Sequence, residues 1–202
     1  MRVFFVRHGD KNIETEINPK IKHTDPSLSE IGKKQAQRLG DYFKNIDLKK
    51  IYVSEYRRNH QTAWPLSQLK GLSIIEDKRL NEIDTGLIEL MSEEEIKKKH
   101  FNFWTDFDEK RKDCRFPGGE NGEEVKARQE GLLKDLVSRN EDCLLVSHDG
   151  FIRILMCNIL GMPVYRRHLF KTVFCGISEL NYDYYRREWN ILKYNWEIDS
   201  RS

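Results

Sequence analysis

Four side chains of this sequence have the chemistry needed to bind a tetrahedral oxyanion, namely Arg7, His8, Arg58 and His148. A guanidinium group grips such an anion with two parallel hydrogen bonds and keeps its charge at every relevant pH. Charged and imidazole groups at the end of a buried strand are costly to desolvate unless they have partners or a function. A pocket for an oxyanion follows if the fold brings the four together.

Three short apolar runs lead into these residues. Residues 3–6, 50–54 and 143–147 each predict a buried strand, followed respectively by Arg7-His8, by the opening of a helix that holds Arg58, and by His148. Helical patterns separate the strands, and this alternation indicates an α/β fold with a parallel sheet. Because the carboxyl ends of parallel strands share one edge, where such folds bind ligands, we expect the four side chains to meet there.

The remaining elements continue the α/β pattern. They are a helix starting at 27–30 with an apolar stripe of Ala36, Leu39, Phe43 and Ile46, a helix from 54–63 to Gly71, a strand at 72–75, helices at about 125–139 and 151–160, and two strands within 172–196. Residues 10–26 are polar and irregular, and we expect this loop to lie over the strand end that carries His8. Pro65 is tolerable because it falls near the start of its helix.

Residues 77–125 break the alternation and indicate an insertion that folds over one end of the sheet. Ser92 and Glu95 form a capping box for a charged helix. A cluster of four aromatic residues follows, which we interpret as the small core of the insertion: Phe101, Phe103, Trp104 and Phe107. The insertion also holds Glu82, a carboxylate flanked by apolar residues.

Composition sets the broad class of the protein. The chain has 202 residues, enough for one domain with a substantial core, and a net charge of +2, which gives no global field for nucleic acid. The four cysteines are widely spaced, so neither a disulfide framework nor structural zinc is expected. No apolar run approaches the length of a membrane span or a signal peptide, and we expect a cytoplasmic protein.

Six short motifs follow one another along the chain. They are Arg7-His8-Gly9, Leu28-Ser29-Glu30-x-Gly32-x-x-Gln35-Ala36, Ser54-x-x-x-Arg58-x-x-Gln61-Thr62-Ala63, Leu80-x-Glu82-x-x-x-Gly86, Pro117-Gly118-Gly119-Glu120 and Ser147-His148-x-Gly150-x-x-Arg153. In this order they resemble the signature of the histidine phosphatase superfamily, with the phosphoglycerate-mutase-like fold. The resemblance implies a single domain over 1–202, built as a three-layer α/β/α sandwich with a mostly parallel central sheet and a lid-like insertion at about 77–125 covering the active site.

The resemblance also implies a covalent mechanism. Neutral His8 would attack phosphorus and become a phosphohistidine, and the surrounding cations should lower its pKa. Arg7, Arg58 and His148 would hold the phosphoryl oxygens. Glu82 matches the family's proton donor, which protonates the leaving alkoxide and then activates water.

No metal and no cofactor are implied by the resemblance, because the arginines already supply positive charge. We expect the substrate to be a small phosphate ester that also contacts Gly9, Asn12 and Asp149. No nucleic-acid or membrane partner is expected, and the sequence leaves the oligomeric state open.

The chain departs from the family pattern at three positions. Asp10 stands where the family usually has Glu, and Glu14 replaces a frequent Asn whose place Asn12 could take. Asp149 follows His148 where close relatives often carry Gly, and in the acid-phosphatase branch the Asp at this position is the proton donor. Asp149 is therefore a rival to Glu82 for that role, or it simply caps the following helix.

Three functions are compatible with these motifs. We favour a metal-independent, broad-specificity phosphomonoesterase resembling the α-ribazole phosphatases. A phosphoglycerate mutase is the first alternative, although the basic, proline-rich segment that mutases carry in the insertion is not evident. A non-catalytic sensor of phosphorylated ligands is the second. The physiological substrate is left open.

Overall fold

A six-stranded sheet runs through the middle of the protein, in a computed structural model that describes residues 1–198. Its strands lie in the order β5 (Ile74–Glu76), β4 (Lys50–Val53), β6 (Cys143–Ser147), β1 (Arg2–Arg7), β7 (Ile177–Asp183) and β8 (Glu188–Trp196). The first four are parallel, and β7 and β8 are antiparallel to their neighbours. A separate small hairpin joins β2 (Ile17–Asn18) and β3 (His23–Thr24).

Helices cover both faces of this sheet. Those within residues 1–198 are α1 (Glu30–Phe43), α2 (Arg57–Lys70), α3 (Glu93–Lys99), α4 (Phe101–Glu109), α5 (Gly122–Arg139) and α6 (Asp149–Ile159), with short 3₁₀ turns at Lys78–Leu80, Gly86–Ile88 and Val164–Leu169. Side chains of α1 and α2 build one apolar core against the sheet, and side chains of α5 and α6 build a second core on the opposite face. This confirms the predicted three-layer sandwich. None of these helices is both long enough and apolar enough to cross a bilayer.

Strand β1 belongs to both cores. Val3 and Phe5 lie in the core of α5 and α6, whereas Phe4 and Val6 lie in the core of α1 and α2. This follows from the two-residue period of a strand, which sends successive side chains to opposite faces. All four are at most 1% exposed, and each such burial contributes about 1.5–3 kcal/mol. A shift of β1 by one residue would exchange the two faces, so its register, and with it the position of His8, is strongly fixed.

The strand order brings the three predicted functional strand ends together. Strand β6 lies between β1 and β4, with Arg7 opposite Ser147 and Val53 opposite Val146. The His8 backbone N–H donates to the Ser147 carbonyl at 3.0 Å. His8, Ser54 and His148 therefore start from neighbouring points on one edge of the sheet.

The structure corrects the predicted position of Pro65, which lies inside α2 and not near its start. Proline in a helix interior removes one backbone hydrogen bond. Here α2 packs closely on α1, since a Cβ atom on Gly40 would come within 3.3 Å of Pro65 Cβ. Tertiary packing here outweighs local propensity.

The predicted insertion at about 77–125 packs partly on the core of the sheet and does not form a separate core. The Ser92–Glu95 capping box at the start of α3 is confirmed. Phe103 and Phe107 stack with Phe116 and pack on the core of α5 and α6. The predicted four-residue aromatic core is therefore wrong, since Phe101 is 67% exposed and Trp104 lies under the Lys97 ammonium. All four cysteines are free and buried.

A pair of helical glycines tests how tightly the loop after β1 is packed. A Cβ atom on Gly32 would lie 1.9 Å from the Asp10 carbonyl oxygen, whereas one on Gly131 would meet no atom closer than 4.0 Å. We expect Gly32→Ala to lower the free energy of unfolding by about 2 kcal/mol or more through overpacking. Gly131→Ala should raise it by about 0.5–1 kcal/mol, because alanine has the better helix propensity. Urea unfolding of both variants measures the difference, and equal effects would contradict the packing described.

Candidate active site

His8 lies at the carboxyl end of β1 as a buried, neutral imidazole. Its Nδ1 is 2.8 Å from the Gly9 carbonyl oxygen, and because a carbonyl can only accept, Nδ1 carries the hydrogen. Nε2 is left with its lone pair. Burial, and next the charge of Arg58, hold the pKa of His8 well below its ordinary value. A neutral imidazole with a lone pair on Nε2 has the chemistry that nucleophilic attack requires.

His148 lies beside His8 with its ring centroid 5.2 Å away. Its Nδ1 is 3.1 Å from Arg58 Nη2, and since a guanidinium only donates, this nitrogen accepts. Nε2 then carries the hydrogen and donates to Ser54 Oγ at 2.8 Å. Burial, followed by the charge of Arg58, lowers the pKa of His148 well below its ordinary value. The sheet edge thus holds two uncharged imidazoles.

The two arginines hold hydrogen-bond donors that the surrounding protein leaves unused. Arg7 Nη1 donates to the Thr172 carbonyl at 2.9 Å. Within the described residues, Arg7 Nε, Arg58 Nε and Arg58 Nη1 are buried and have no partner at hydrogen-bond distance. The carboxylate of Asp25 is 3.8 Å from Arg58 Nη1, beyond that distance. Buried unpaired donors of this kind cost about 1–3 kcal/mol each, and an oxyanion would satisfy them.

Glu82 lies at the amino end of α6 with its carboxyl group among backbone N–H groups. It accepts hydrogen bonds from Ile83 and Phe151 at 3.0 Å and from Gly150 at 3.2 Å. Desolvation by the surrounding protein outweighs these contacts and raises the pKa of Glu82. A Cβ atom at residue 150 would come within 2.7 Å of Glu82 Oε1, so a side chain there would displace the Glu82 carboxyl group. Glu82 thus retains a proton more readily than an ordinary glutamate.

Arg128 on α5 fixes the loop that carries Glu82, and sequence reasoning missed it. Its guanidinium donates to the carbonyls of Arg79 and Glu82 and to the carboxylate of Glu120. Glu120 also accepts from the Asp84 backbone N–H at 3.0 Å. The Pro117–Glu120 motif therefore supplies the counter-ion of a clamp. Its glutamate was a possible signal, but nothing in the spacing indicated which arginine it pairs with.

The motifs around Gly9 hold the loop that follows His8. Gly9 N–H donates to Thr62 Oγ1 at 3.0 Å, and Asp10 N–H donates to Gln35 Oε1 at 2.8 Å. The Asp10 carboxylate accepts from the Ser29 hydroxyl. Asp10, which is shorter than the glutamate usual in the family, thus ties the loop to the start of α1. Gly9 contacts the His8 ring through its backbone carbonyl.

Asn12 and Asp149, two further predicted substrate contacts, both have partners within the protein. Asn12 is exposed, and its Nδ2 donates to Ser27 Oγ at 3.1 Å. Asp149 accepts from Thr172 Oγ1 at 2.7 Å through one carboxylate oxygen and from Arg153 Nη1 at 3.0 Å through the other. The structure therefore brings Arg7, His8, Arg58 and His148 together at one edge of the sheet, whereas Asn12 and Asp149 are bonded to other protein groups.

A cavity of about 360 Å³ lies next to this cluster at Glu82 and Tyr56, although none of the four clustered side chains lines it. Tyr56 lines it, and the Tyr56 ring lies 4.7 Å from that of His148. The other lining residues are mostly charged or polar: Ile21, His23, Glu55, Lys78, Arg79, Asn81, Asp84, Glu120 and Arg128. The part of the insertion that reaches this space is thus the loop 78–84 together with Glu120, and α3 and α4 do not line it.

Two aromatic residues and one lysine at the site were not predicted. Phe174 lies 4.1 Å over the Arg7 guanidinium and 5.8 Å from the His8 ring. Tyr56 stacks 4.3 Å from the Arg58 guanidinium. Partial burial, and next the charges of Arg58 and Arg7, lower the pKa of Lys11. Of these three residues, only Tyr56 could have been predicted from the sequence, because it is an aromatic residue inside the Ser54–Ala63 motif.

Adjacent arginines in α2 test whether the unused donors bind an oxyanion. We expect Arg58→Gln to weaken binding of inorganic phosphate by about 10- to 100-fold, because the variant loses one or two charge-assisted hydrogen bonds to the anion. Arg57→Gln is the matched control, because Arg57 is exposed at the preceding position. Isothermal titration calorimetry at neutral pH measures both affinities. Equal affinities for the two variants would show that the anion binds elsewhere.

Comparison with known proteins agrees with the motifs. Residues 3–197 match the family model of the histidine phosphatase superfamily (branch 1). The chain is 33% identical over 172 residues to Phosphoserine phosphatase 1 of Hydrogenobacter thermophilus, covering 81% of this chain and 78% of that protein. It is 30% identical over 194 residues to the protein named Probable phosphoglycerate mutase GpmB of Enterobacter sp. (strain 638), covering 90% and 85%.

Solved structures share the fold over nearly the whole chain. The α-ribazole phosphatase of Shigella flexneri superposes with a TM-score of 0.81 at 18% identity, covering 99% of this chain and 100% of that one. The mycobacterial glucosyl-3-phosphoglycerate phosphatase superposes with a TM-score of 0.80 at 23% identity, covering 98% and 99%. The family predicted from the six motifs is confirmed: the chain belongs to the histidine phosphatase superfamily, whose matched members are named as phosphatases or phosphoglycerate mutases.

Proposed function

We propose that this protein is a phosphomonoesterase that forms a covalent phosphohistidine on His8. One observation carries the proposal: a neutral imidazole with a lone pair on Nε2 shares a sheet edge with three guanidinium nitrogens that have no partner within residues 1–198. The membership in a superfamily of phosphoryl-transfer enzymes supports it. In this proposal Arg7 and Arg58 supply the positive charge that binds the phosphoryl group.

In the first step, His8 Nε2 attacks phosphorus in line with the leaving oxygen. The N–P bond forms as the P–O bond to the leaving group breaks, and the bonding pair moves onto the leaving oxygen, which takes the proton of Glu82. The guanidinium donors of Arg7 and Arg58 hold the equatorial oxygens, and their hydrogen bonds strengthen as charge develops there. When the anion takes the place of His148 at Arg58, the hydrogen of His148 moves to Nδ1, which donates to the phosphoryl group, and Nε2 then accepts from the Ser54 hydroxyl.

In the second step, Glu82 acts as a base. Its carboxylate takes a proton from water as the water oxygen attacks the phosphohistidine, and the N–P bond breaks with its electron pair returning to Nε2. Inorganic phosphate leaves, His8 is again neutral, and Glu82 is again protonated. The raised pKa of Glu82 suits a group that must give and take a proton in one cycle.

We assign the proton-donor role to Glu82 and not to Asp149. Glu82 lines the cavity that adjoins the anion site, and desolvation raises its pKa. Both carboxylates have protein donors, but Asp149 is paired with the Arg153 guanidinium at 3.0 Å, whereas the donors to Glu82 are uncharged backbone N–H groups.

The substrate class that fits is a small phosphate ester with a polar leaving group. The cavity beside Glu82 is lined by carboxylates, cations and the Tyr56 phenol, which suit hydroxyl, amino or carboxyl substituents better than an extended apolar body. The relative named Phosphoserine phosphatase 1 makes phosphoserine the first compound to assay.

A mutase is the alternative that the relatives also suggest, since one of them is named as a probable phosphoglycerate mutase. A mutase would return the phosphoryl group from His8 to a second hydroxyl instead of to water. Incubation with 3-phosphoglycerate and a bisphosphoglycerate separates the two functions. Release of inorganic phosphate without interconversion supports the phosphatase, and interconversion faster than release contradicts it.

Removal of His8 should abolish turnover while leaving most of the anion site. We expect His8→Ala to reduce hydrolysis of p-nitrophenyl phosphate to background, because no nucleophile remains. Inorganic phosphate should still bind to this variant within about tenfold of the wild-type affinity, since the charged donors are retained. Phosphate release and calorimetry measure the two quantities. Residual turnover at a substantial fraction of the wild-type rate would exclude a phosphohistidine at this position, and no phosphate binding to the wild type would exclude the site itself.

The proton donor can be identified from the leaving-group and pH dependence of kcat/KM. We expect Glu82→Gln to slow hydrolysis of an alkyl phosphate by about 100-fold or more, and that of p-nitrophenyl phosphate much less, because only the alkoxide needs a proton. Activity on the alkyl phosphate should fall at high pH as Glu82 ionises, and at low pH, well below 6.5, as His8 is protonated.

Only the high-pH decline should disappear in Glu82→Gln, since His8 is unchanged. A variant that keeps the full wild-type profile would remove Glu82 from the mechanism. The same selective loss in Asp149→Asn, with Glu82→Gln unaffected, would transfer the role to Asp149.

A further inference from the structure

The segment Thr172–Cys175, here called the strap, lies directly against Arg7 and His8. The Thr172 carbonyl accepts from Arg7 Nη1 at 2.9 Å, and the Phe174 ring lies 4.1 Å from the Arg7 guanidinium. The Cys175 N–H donates to the Arg7 carbonyl at 3.0 Å. Cys175 has a φ of +55°, a conformation that costs a non-glycine residue about 1 kcal/mol or more. The strap thus holds both the backbone and the guanidinium of Arg7.

Asp149 anchors the start of this strap. One of its oxygens accepts from Thr172 Oγ1 at 2.7 Å, and the other accepts from Arg153 Nη1 at 3.0 Å. Arg153 is fixed in turn, because its Nε donates to the Arg167 carbonyl at 2.9 Å. A continuous chain of contacts therefore runs from α6, through Asp149 and Thr172, to the guanidinium of Arg7.

We propose that Asp149 is a positioning residue, which acts through Thr172 to aim the Arg7 guanidinium at the phosphoryl group. The inference rests on the proposed function, since it assigns Arg7 to the binding of that group. Arg7 Nε is buried and has no partner among residues 1–198. It can therefore donate to a bound phosphoryl group only if its N–H points toward that group. Nη1 is the part of the guanidinium bound to the strap, and a displacement of Thr172 would turn Nε away from the anion.

Loss of a positioning residue and loss of a proton donor are expected to affect different sets of substrates. A positioning residue affects every phosphate ester and inorganic phosphate alike, because all of them bind the same guanidinium. A proton donor affects only esters with a poor leaving group. The contact between Thr172 Oγ1 and Asp149 can also be removed by substituting Thr172, which leaves the carboxyl group in place.

Thr172→Val tests the contact, since it removes the hydroxyl and keeps the carbonyl that binds Arg7. We expect about a tenfold loss, of the order of one hydrogen bond, in the affinity for inorganic phosphate and in kcat/KM for both p-nitrophenyl phosphate and an alkyl phosphate. Thr172→Ser should restore wild-type values, because serine keeps the hydroxyl. The matched control is Thr105→Val, because Thr105 is exposed and its hydroxyl donates to the Phe101 carbonyl within α4.

Asp149 variants give the complementary test. Asp149→Asn keeps an oxygen that can accept from Thr172, so its losses should be smaller than those of Asp149→Ala and equal for the two esters. Thermal melts show which variants are folded. The proposal is overturned if Thr172→Val is folded and matches the wild type, or if Asp149→Asn loses only alkyl phosphate hydrolysis with phosphate affinity intact. Failure of the wild type to bind phosphate or hydrolyse either ester would instead overturn the proposed function.

Discussion

Guanidinium donors that residues 1–198 leave without hydrogen-bond partners are the constraint on which this site depends. Arg7 and Arg58 are held at one edge of the sheet with three guanidinium nitrogens buried and unpaired among the described residues. These charges, together with burial, hold the pKa values of His8 and His148 low, so both imidazoles stay neutral. The unmet donors cost stability in the free protein, and an oxyanion that binds there stabilises the fold by mass action.

The order and burial of the strands fix the positions of the site residues relative to one another. Strand β1 is buried on both faces, which fixes its register and therefore the position of His8. Strand β6 lies between β1 and β4, so that His148 can contact both His8 and Ser54. The carboxyl group of Glu82 comes from a different segment and is carried to the amino end of α6 by the Arg128 clamp.

The sequence predicted the elements and most of the cluster, because both follow from local patterns. Apolar runs and ordered motifs were enough to predict the three-layer sandwich and the shared strand end of Arg7, His8 and His148. What local patterns do not encode is pairing across the fold. The Arg128–Glu120 clamp, the strap against Arg7 and the partners of Asp149 depend on which surfaces of separate segments meet. Pro65 was misplaced because local propensity disfavours proline inside a helix, whereas α2 continues past it to Lys70.

The most direct test of the account is to trap the phosphorylated protein. Rapid mixing with a ³²P-labelled phosphate ester, followed by an alkaline quench and peptide mass spectrometry, should recover label on the peptide that contains His8. The linkage should be stable to alkali and labile to acid, as a phosphoramidate is. Label on another residue, or full turnover with no label under conditions that quench within a single turnover, would contradict the account.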